Sequence, residues 1–401
     1  MHKPGLVAVV GVASLAGLLF AAVSTNDFTA HLDRQVHGIH CSFLPGVDAP
    51  DVSGSSGCHT TLMSPYSSVF RQAVWGGIPV ALPAMSVFAF IGFWLLALVL
   101  TKRLQDRNAV AFLVAACGLP LLTSIVMGYL SFTQLGAACK LCIGIYVSST
   151  VAFAGALMLW LRIGEAPADA PPPMSLGALP VAFLSGVLFV AVPVVAYATK
   201  APNFERFLGA CGKLPSAAAT SQALIPIGDQ RGDVSAIEIL DPLCPACRGF
   251  ERRFEASGFA SHVSRKALLF PLDNTCNWMV TSSIHPGACA ISEAVLCAGP
   301  RAESVLAWAF EQQEEIIAAT KADAKAAGQM AIAQFPELRG CIGTPAVKAR
   351  INRALRWAVA NQLPVLTPQM YVGNVRLCDE DTDLGMEYAT SRLIARAGGK
   401  P

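Results

Sequence analysis

Charge is scarce in this chain: of its 401 residues only 14% are Asp, Glu, Lys or Arg, against 54% that are hydrophobic, well off the balance of a soluble globular protein. The formal net charge is +2 and no basic run occurs, so the electrostatic hold that a polyanion needs is missing and nucleic acid is not an expected partner. No G-x-x-x-x-G-K segment is present, which removes the Gly-rich loop that cradles nucleotide phosphates. The charge that exists is uneven. Lys, Arg, Asp and Glu become frequent from Lys200 onward, whereas the residues before it are mostly apolar, a division that reads as a membrane half followed by a soluble half.

Five charge-free stretches are long enough to cross about 30 Å of hydrocarbon: Gly5 to Ser24, Ile78 to Leu100, Ala109 to Tyr129, Leu141 to Leu161 and Leu176 to Ala198. Lys and Arg accumulate on the cytoplasmic side of short connections. Lys102, Arg103 and Arg107 fill the turn between the second and third spans and Arg162 follows the fourth, whereas Ser131 to Ala138 carries no charge. This orientation puts the loop from Thr25 to Gly77 and the soluble half outside. His2 and Lys3 ahead of the first run also fit a secretory signal, but its long apolar stretch favours a retained span. The Pro/Ala-rich segment from Glu165 to Pro173 is expected to be a linker on the cytoplasmic face. The expected organisation is a membrane domain over residues 1–163, linker and fifth, tethering span over 164–200, and a soluble domain over 201–401.

Cysteine is abundant, at 13 residues, which suits a compartment where disulfides persist, such as a bacterial periplasm. Two Cys-x-x-Cys pairs stand in opposite settings: Cys139 and Cys142 at the mouth of an apolar span, and Cys244 and Cys247 in a polar stretch. Residues three apart share a helix face, so Cys139 and Cys142 can bond each other or present two thiols to one visitor, with Lys140 free to reach the interface beside them; the alternative is two small residues that only pack. Cys41 and Cys58 bracket a Gly-, Pro-, Ser- and Asp-containing interval. Spacing alone leaves open a mobile relay arm or a static disulfide worth about 3 kcal/mol.

In the soluble half an apolar run, Ala236 to Leu240, leads through Asp241 to Cys244-Pro245-Ala246-Cys247 and a helical segment. A dithiol at a helix start gives its first cysteine the unsatisfied N–H groups that stabilise a thiolate, so Cys244 is the expected nucleophile and Cys247 the resolving thiol. Zinc is the rival, but a four-ligand site normally needs a second pair at related spacing. Cys211, Cys276, Cys289, Cys297, Cys341 and Cys378 permit fifteen pairings, among which structural disulfides are expected. Cys276, His285 and Cys289 fit no standard metal spacing, and Cys117, alone within the third span, is expected to be a packed small residue.

Cys41 and Cys58, the segment Met63 to Phe70, Gly76 to Ala81, and Cys139, Cys142 and Tyr146 together resemble bacterial homologues of vitamin K epoxide reductase fused to a thioredoxin-like domain. The resemblance implies an all-α transmembrane four-helix bundle that holds a quinone, ubiquinone or menaquinone, near the outer surface. It further implies that Cys142 reacts with the quinone, that Cys139 exchanges with Cys58, that Cys41 exchanges with the soluble domain, and that Ser64 and Tyr146 assist the site or hydrogen-bond the quinone head. The run Leu363 to Gly373 completes a second resemblance, to α/β thioredoxin-like domains of the periplasmic thiol oxidase and isomerase type, in which a cis-proline lies against the dithiol. Pro368 matches it, and the mostly helical stretch from Ile291 to Gln362 matches the helical insertion of the oxidase type.

The resulting expectation is a quinone-dependent oxidoreductase of the inner membrane, multi-pass in the lipid bilayer with its C-terminal domain in the periplasm. Electrons pass from exported proteins with free thiols through Cys244/Cys247, Cys41/Cys58 and Cys139/Cys142 to a membrane quinone, with no metal required. The alternatives are a membrane-tethered thiol-disulfide isomerase or reductase and an outward transporter of reducing power. A transporter needs a thiol pair reachable from the inner face, and Cys117 is single.

Overall fold

The computed structural model describes residues 3–35, 37–43, 56–164, 171–216 and 223–400. The middle of the Cys41 to Cys58 interval, the start of the linker at Glu165 and the residue His2 lie outside them. The chain divides into two compact units, Met1–Asn203 and Phe204–Pro401.

The first unit is helical: α1 (Lys3–Ala30), the short α2 (Gly57–Leu62), α3 (Ala81–Leu100), α4 (Arg107–Thr133), α5 (Lys140–Leu161) and α6 (Leu179–Lys200), with a two-stranded hairpin of β1 (Ser68–Val69) and β2 (Ile78–Pro79). Among the described residues five helices are long and apolar enough to cross a membrane by length and composition, which fits a multi-pass membrane protein. Each long helix runs a few residues beyond or inside its expected limits; α1 extends to Ala30 because polar Thr25, Asn26 and Asp27 continue the helix beyond the apolar run. Helix α1 packs on α3 and α5, and α4 on α5. Their shared core includes Leu6, Val10, Phe88, Ile91, Leu95, Leu113, Ala116 and Cys117. The α1–α5 approach depends on a small residue: a Cβ at Gly144 would lie 2.8 Å from the Phe20 ring, the close contact that membrane helices use in place of a hydrophobic drive. Outward positions such as Val12, Leu122, Ile125 and Phe183 are apolar and exposed, as a lipid-facing surface requires. Helix α6 packs on α3 and buries only Ala182. The Tyr197 hydroxyl donates to Gly77 O at 2.9 Å, fastening α6 to the hairpin.

The second unit is a mixed five-stranded sheet in the order β3-β5-β4-β6-β7 with helices between its strands, a thioredoxin-like fold. Its strands are β3 (Ile225–Pro226), β4 (Val234–Leu240), β5 (Val263–Leu269), β6 (Gln369–Val372) and β7 (Val375–Leu377). The strand β4, helix α7 (Pro245–Ala256) and parallel β5 form a crossover unit in which Val234 pairs Val263 and Leu240 pairs Leu269. Nearly every β4 residue is buried, the mark of a central strand covered on both faces. A block of helices, α8 (Ala288–Ala298), α9 (Ala302–Glu311), α10 (Gln313–Ala322), α11 (Ala326–Gln334) and α12 (Pro345–Ala360), separates β5 from β6, and α13 (Met386–Arg396) closes the chain. The Ala-rich run from Glu314 to Ala333 is therefore two helices, broken where Asp323 turns extended.

Three disulfides staple this unit: Cys211–Cys378, Cys276–Cys289 and Cys297–Cys341. Cys276–Cys289 ties the loop after β5 to the first turn of α8. A charged cluster unmarked by any sequence pattern sits under α7. Glu238, fully buried in β4, lies 3.6 Å from Arg265 Nη1, which also holds Glu251 at 2.8 Å, while Arg265 Nη2 holds Glu255. Burial and the neighbouring Glu251 push the Glu238 carboxyl well above the usual range, against the pull of Arg265.

Candidate functional site

Two thiol centres stand in the two units. In the first, Cys139 is the extended residue before α5, and its Sγ accepts the Cys142 N–H at 3.2 Å, capping the helix. Ser131 Oγ donates to Ala137 O at 2.6 Å and shapes the turn that leads in. Cys139 is buried and Cys142 half-buried, and both are free thiols. Cys58, in α2, is bonded to Cys41 with Cα atoms 5.7 Å apart. The two cysteine-bearing segments touch backbone to backbone: a Cβ on Gly57 would lie 2.2 Å from Ala138 O, so only glycine lets the residue before Cys58 meet the residue before Cys139. Cys58, Cys139 and Cys142 consequently line one cavity of about 210 Å³.

The cavity wall is mostly apolar, with Phe28, Ile39, Leu62, Leu119, Met127, Leu141 and Ile145, and carries a few polar groups, Asp27, Thr61, Thr123, Ser124 and Tyr146. Such a lining suits a flat apolar molecule oriented by a small number of hydrogen bonds. Tyr146 lies one helical turn beyond Cys142, on its face. Ser64 is not part of the wall: it is buried, its hydroxyl donates to Thr61 O at 2.7 Å, and its carbonyl accepts from Arg71.

Asp27 was not singled out by any motif. It is buried in the last turns of α1, its Oδ2 accepts the His40 N–H at 2.8 Å and its Oδ1 lies 2.7 Å from His40 Nδ1. The carboxylate thus clamps the residue that precedes Cys41. A lone Asp ending an otherwise apolar membrane-length run was the available signal, since a charge there needs a partner.

In the second unit Cys244 is again the extended residue before a helix, α7, with Pro245 in the first helical position. Pro costs nothing there, because that N–H has no intrahelical partner anyway. Cys244 is 5% exposed and Cys247 fully buried. The hydrogen bond from Cys247, outweighing burial, and further help from Thr367 and the charge of His285 bring the Cys244 thiol down to about 6. Burial and the neighbouring sulfur hold Cys247 well above the usual thiol range. One sulfur is ready to attack while the other keeps its proton, the division a nucleophile and a resolving thiol need. The Thr367–Pro368 peptide is cis, and Cys244 as a thiol donates to Thr367 O at 3.7 Å, so Pro368 follows a backbone carbonyl lying on the reactive sulfur.

Asp241 and His285, neither read as a site residue from sequence, complete this centre. Asp241 is fully buried; Oδ1 accepts Leu243 N at 2.8 Å, Oδ2 accepts Leu272 N at 2.7 Å, and His285 Nδ1 lies 2.8 Å from Oδ2. Burial opposes charging of His285, but the Asp241 hydrogen bond and charge outweigh it and raise its pKa. Cys276 and Cys289 are bonded to each other, the structural pairing expected of them. A cluster of geometry suited to a metal, Cys211, Cys378 and Glu380, likewise has both sulfurs in a disulfide. Cys117 packs in the helical core, as expected.

Residues 8–157 match the model of the vitamin K epoxide reductase family, from early α1 into the last turns of α5. That part of the chain is a domain of this family, which implies an oxidoreductase. No curated protein matches the chain. Among solved structures, a linker-deletion mutant of Proteus mirabilis ScsC is similar over 57% of this chain and 100% of its own, with 15% identity and a TM-score of 0.30. Proteus mirabilis ScsC in a transitional conformation is similar over 55% of this chain and 95% of its own, with 16% identity and a TM-score of 0.29.

Proposed function

We propose, starting from the vitamin K epoxide reductase-family domain at residues 8–157, that this protein is a thiol:quinone oxidoreductase that forms disulfides in exported proteins. The observation that carries the reading is the meeting of Cys58, from the loop disulfide, with the free Cys139 and Cys142 in one apolar cavity. The residues present fit a quinone: apolar side chains to sandwich a ring, the Tyr146 hydroxyl to meet a ring oxygen, and a thiol pair at the wall. A bound quinone would supply a two-electron, two-proton acceptor.

The chain's own residues then act in sequence. A substrate thiolate attacks the Cys244–Cys247 disulfide and the substrate's second thiol resolves it, leaving the substrate disulfide and the Cys244/Cys247 dithiol. The Cys244 thiolate next attacks Cys41 of the Cys41–Cys58 disulfide and Cys247 completes the exchange. Cys58 passes the pair on to Cys139, and the disulfide moves from Cys139/Cys142 to the loop as its thiols are regenerated. Every step exchanges one sulfur–sulfur bond for another, so contact and orientation suffice. Cys142, the deeper of its pair along α5, is the sulfur that faces the acceptor, with Tyr146 holding it. Domains 1–163, 164–200 and 201–401 serve as electron exit, tether and substrate-facing oxidase. The bilayer position is the inner membrane with the second unit in the periplasm, the side from which exported proteins with free thiols arrive, because Lys102, Arg103, Arg107 and Arg162 mark the cytoplasmic side of the spans and the second unit follows the fifth.

Purified protein given a reduced two-cysteine peptide and a soluble ubiquinone or menaquinone analogue tests this. Peptide oxidation should proceed in step with quinone reduction and disappear in Cys142→Ala and in Cys244→Ala. Continued turnover in Cys142→Ala would end the claim on quinone, and continued turnover in Cys244→Ala would end the relay.

A further inference from the structure

The dithiol of the second unit has an uncharged interior. Pro245 and Ala246, the two residues between its cysteines, offer neither a charge nor a side-chain hydrogen bond, so the helix terminus and backbone alone would have to hold a thiolate there. The loop after β5 brings in what the dipeptide lacks. Leu272 O accepts the N–H groups of Ile284 and His285 at 2.9 and 3.2 Å. Asp273 accepts Ser283 Oγ at 2.7 Å and Gly287 N at 3.0 Å, and Cys276–Cys289 closes the loop. This rigid frame presents His285 to Asp241.

Asp241 is built into the dithiol itself. Its N–H donates to Cys247 Sγ at 3.5 Å and its carbonyl accepts the Cys244 N–H at 3.1 Å. Its carboxylate has the His285 ring, Leu243 N and Leu272 N as partners. A carboxylate accepting at Nδ1 requires the proton on that nitrogen, and adding a second proton at Nε2 gives an imidazolium stabilised by the buried anion. The charged or titratable groups around Cys244 are accounted for element by element. Cys247 comes from α7, and Arg248 in the same helix is engaged by Glu314 at 2.7 Å. Helix α10 offers Gln313, whose amide donates to Cys244 O at 3.0 Å and is uncharged. The segment before β6 offers the Thr367 carbonyl and the buried Thr367 hydroxyl, both uncharged. His285 is the remaining group there that can carry a positive charge.

We propose that His285, oriented by Asp241, is the cationic partner that keeps Cys244 as a thiolate and thereby makes the Cys244–Cys247 disulfide a stronger oxidant. The disulfide, two electrons and one proton yield the Cys244 thiolate and the Cys247 thiol; whatever stabilises the thiolate pulls this couple toward reduction. Asp241 is a positioning residue, since it acts on the sulfur through the ring. The direction of the Cys244 and His285 shifts agrees with this pairing. The proposal rests on Cys244 being the reactive thiol, and its test reads that thiol directly rather than turnover, so it can fail while the quinone reading stands.

In the full-length protein, the rate of alkylation of the Cys244 peptide against pH, resolved by mass spectrometry, gives the thiolate midpoint. His285→Gln keeps a donor for Asp241 but loses the charge. It should raise the midpoint by about one unit, cut the thiolate fraction below the midpoint about tenfold, and lower the potential of the pair in a glutathione buffer by about 30 mV. His285→Lys, which restores a cation, should recover most of both. An unchanged midpoint in His285→Gln overturns the proposal. So does a His285→Lys protein that shifts as far as His285→Gln, because packing rather than charge would then be responsible.

Discussion

Cys139 and Cys244 each stand immediately before a helix in extended conformation, at ψ 117° and 118°, with the second cysteine three residues on. Around that shared device the two centres diverge. Helix α5 is mostly apolar, its thiols open on an apolar cavity, and the third sulfur there, Cys58, arrives from another segment. Helix α7 has a polar face, its second sulfur is fully buried, and the hydrogen-bonded pair Asp241 and His285 stands beside the dithiol. A helix N-terminus makes a cysteine reactive; the environment chooses the partner. An apolar chamber admits a small lipid-soluble molecule and excludes a polypeptide, whereas a thiolate beside a cis-proline backbone edge can meet an extended chain.

The largest expected break in this comparison comes at Gly57. A methyl group there would have to occupy space 2.2 Å from Ala138 O, so Gly57→Ala must push α2 away from the segment that carries Cys139. Displacing a reacting group by about 1 Å costs on the order of a hundredfold in rate. Peptide-to-quinone turnover should fall by about that factor, while alkylation of Cys244 in the same protein keeps its wild-type rate. A loss of Cys244 reactivity in parallel would mean the substitution acts through general misfolding.

A smaller effect separates the centres by pH. The Cys244 thiol is lowered to about 6, so its ionised form is favoured in the folded, reduced protein. Such a group stabilises fully above the ordinary thiol pKa, less as pH falls, and not at all once the pH is below about 6. At pH 7 the contribution is about 1.4 kcal/mol, the value of one tenfold excess of thiolate. The denaturant midpoint of the reduced second unit in the full-length protein should exceed that of Cys244→Ser at neutral pH, and the gap should close on acidification through 6. A gap that widened instead would have the sign wrong.

How far each centre could be read in advance follows from the range of the forces involved. The two helix-start dithiols, the five spans and the Thr367–Pro368 step are local patterns, visible in a window of a few residues, and the fold contains all of them. The partners of those sulfurs come from far along the chain. Asp27 reaches His40, Asp241 reaches His285, and Glu238 reaches Arg265. None of these separations has a fixed spacing, and each becomes visible only when β-register or helix packing brings the ends together. The three disulfides of the second unit illustrate the same limit, since fifteen pairings were open and the fold selects one. Ser64 illustrates the reverse. A motif position nominated it, yet the turn after α2 directs its hydroxyl to Thr61 O rather than into the chamber.

That contrast between Ser64 and Tyr146 yields the finest test. Tyr146 lines the cavity one turn beyond Cys142, whereas Ser64 spends its hydroxyl inside its own turn. A hydrogen bond to a ring oxygen contributes about 0.5–1.5 kcal/mol, so Tyr146→Phe should raise KM for a quinone analogue by a few-fold to about tenfold while peptide oxidation at saturating quinone changes little. Ser64→Ala should leave that KM within about twofold and instead lower thermal stability slightly, through the lost hydrogen bond to Thr61. If the two variants exchanged behaviours, with Ser64→Ala weakening quinone use and Tyr146→Phe silent, the chamber would have to open toward the α2 turn, and the wall described here would not be the one that orients the acceptor.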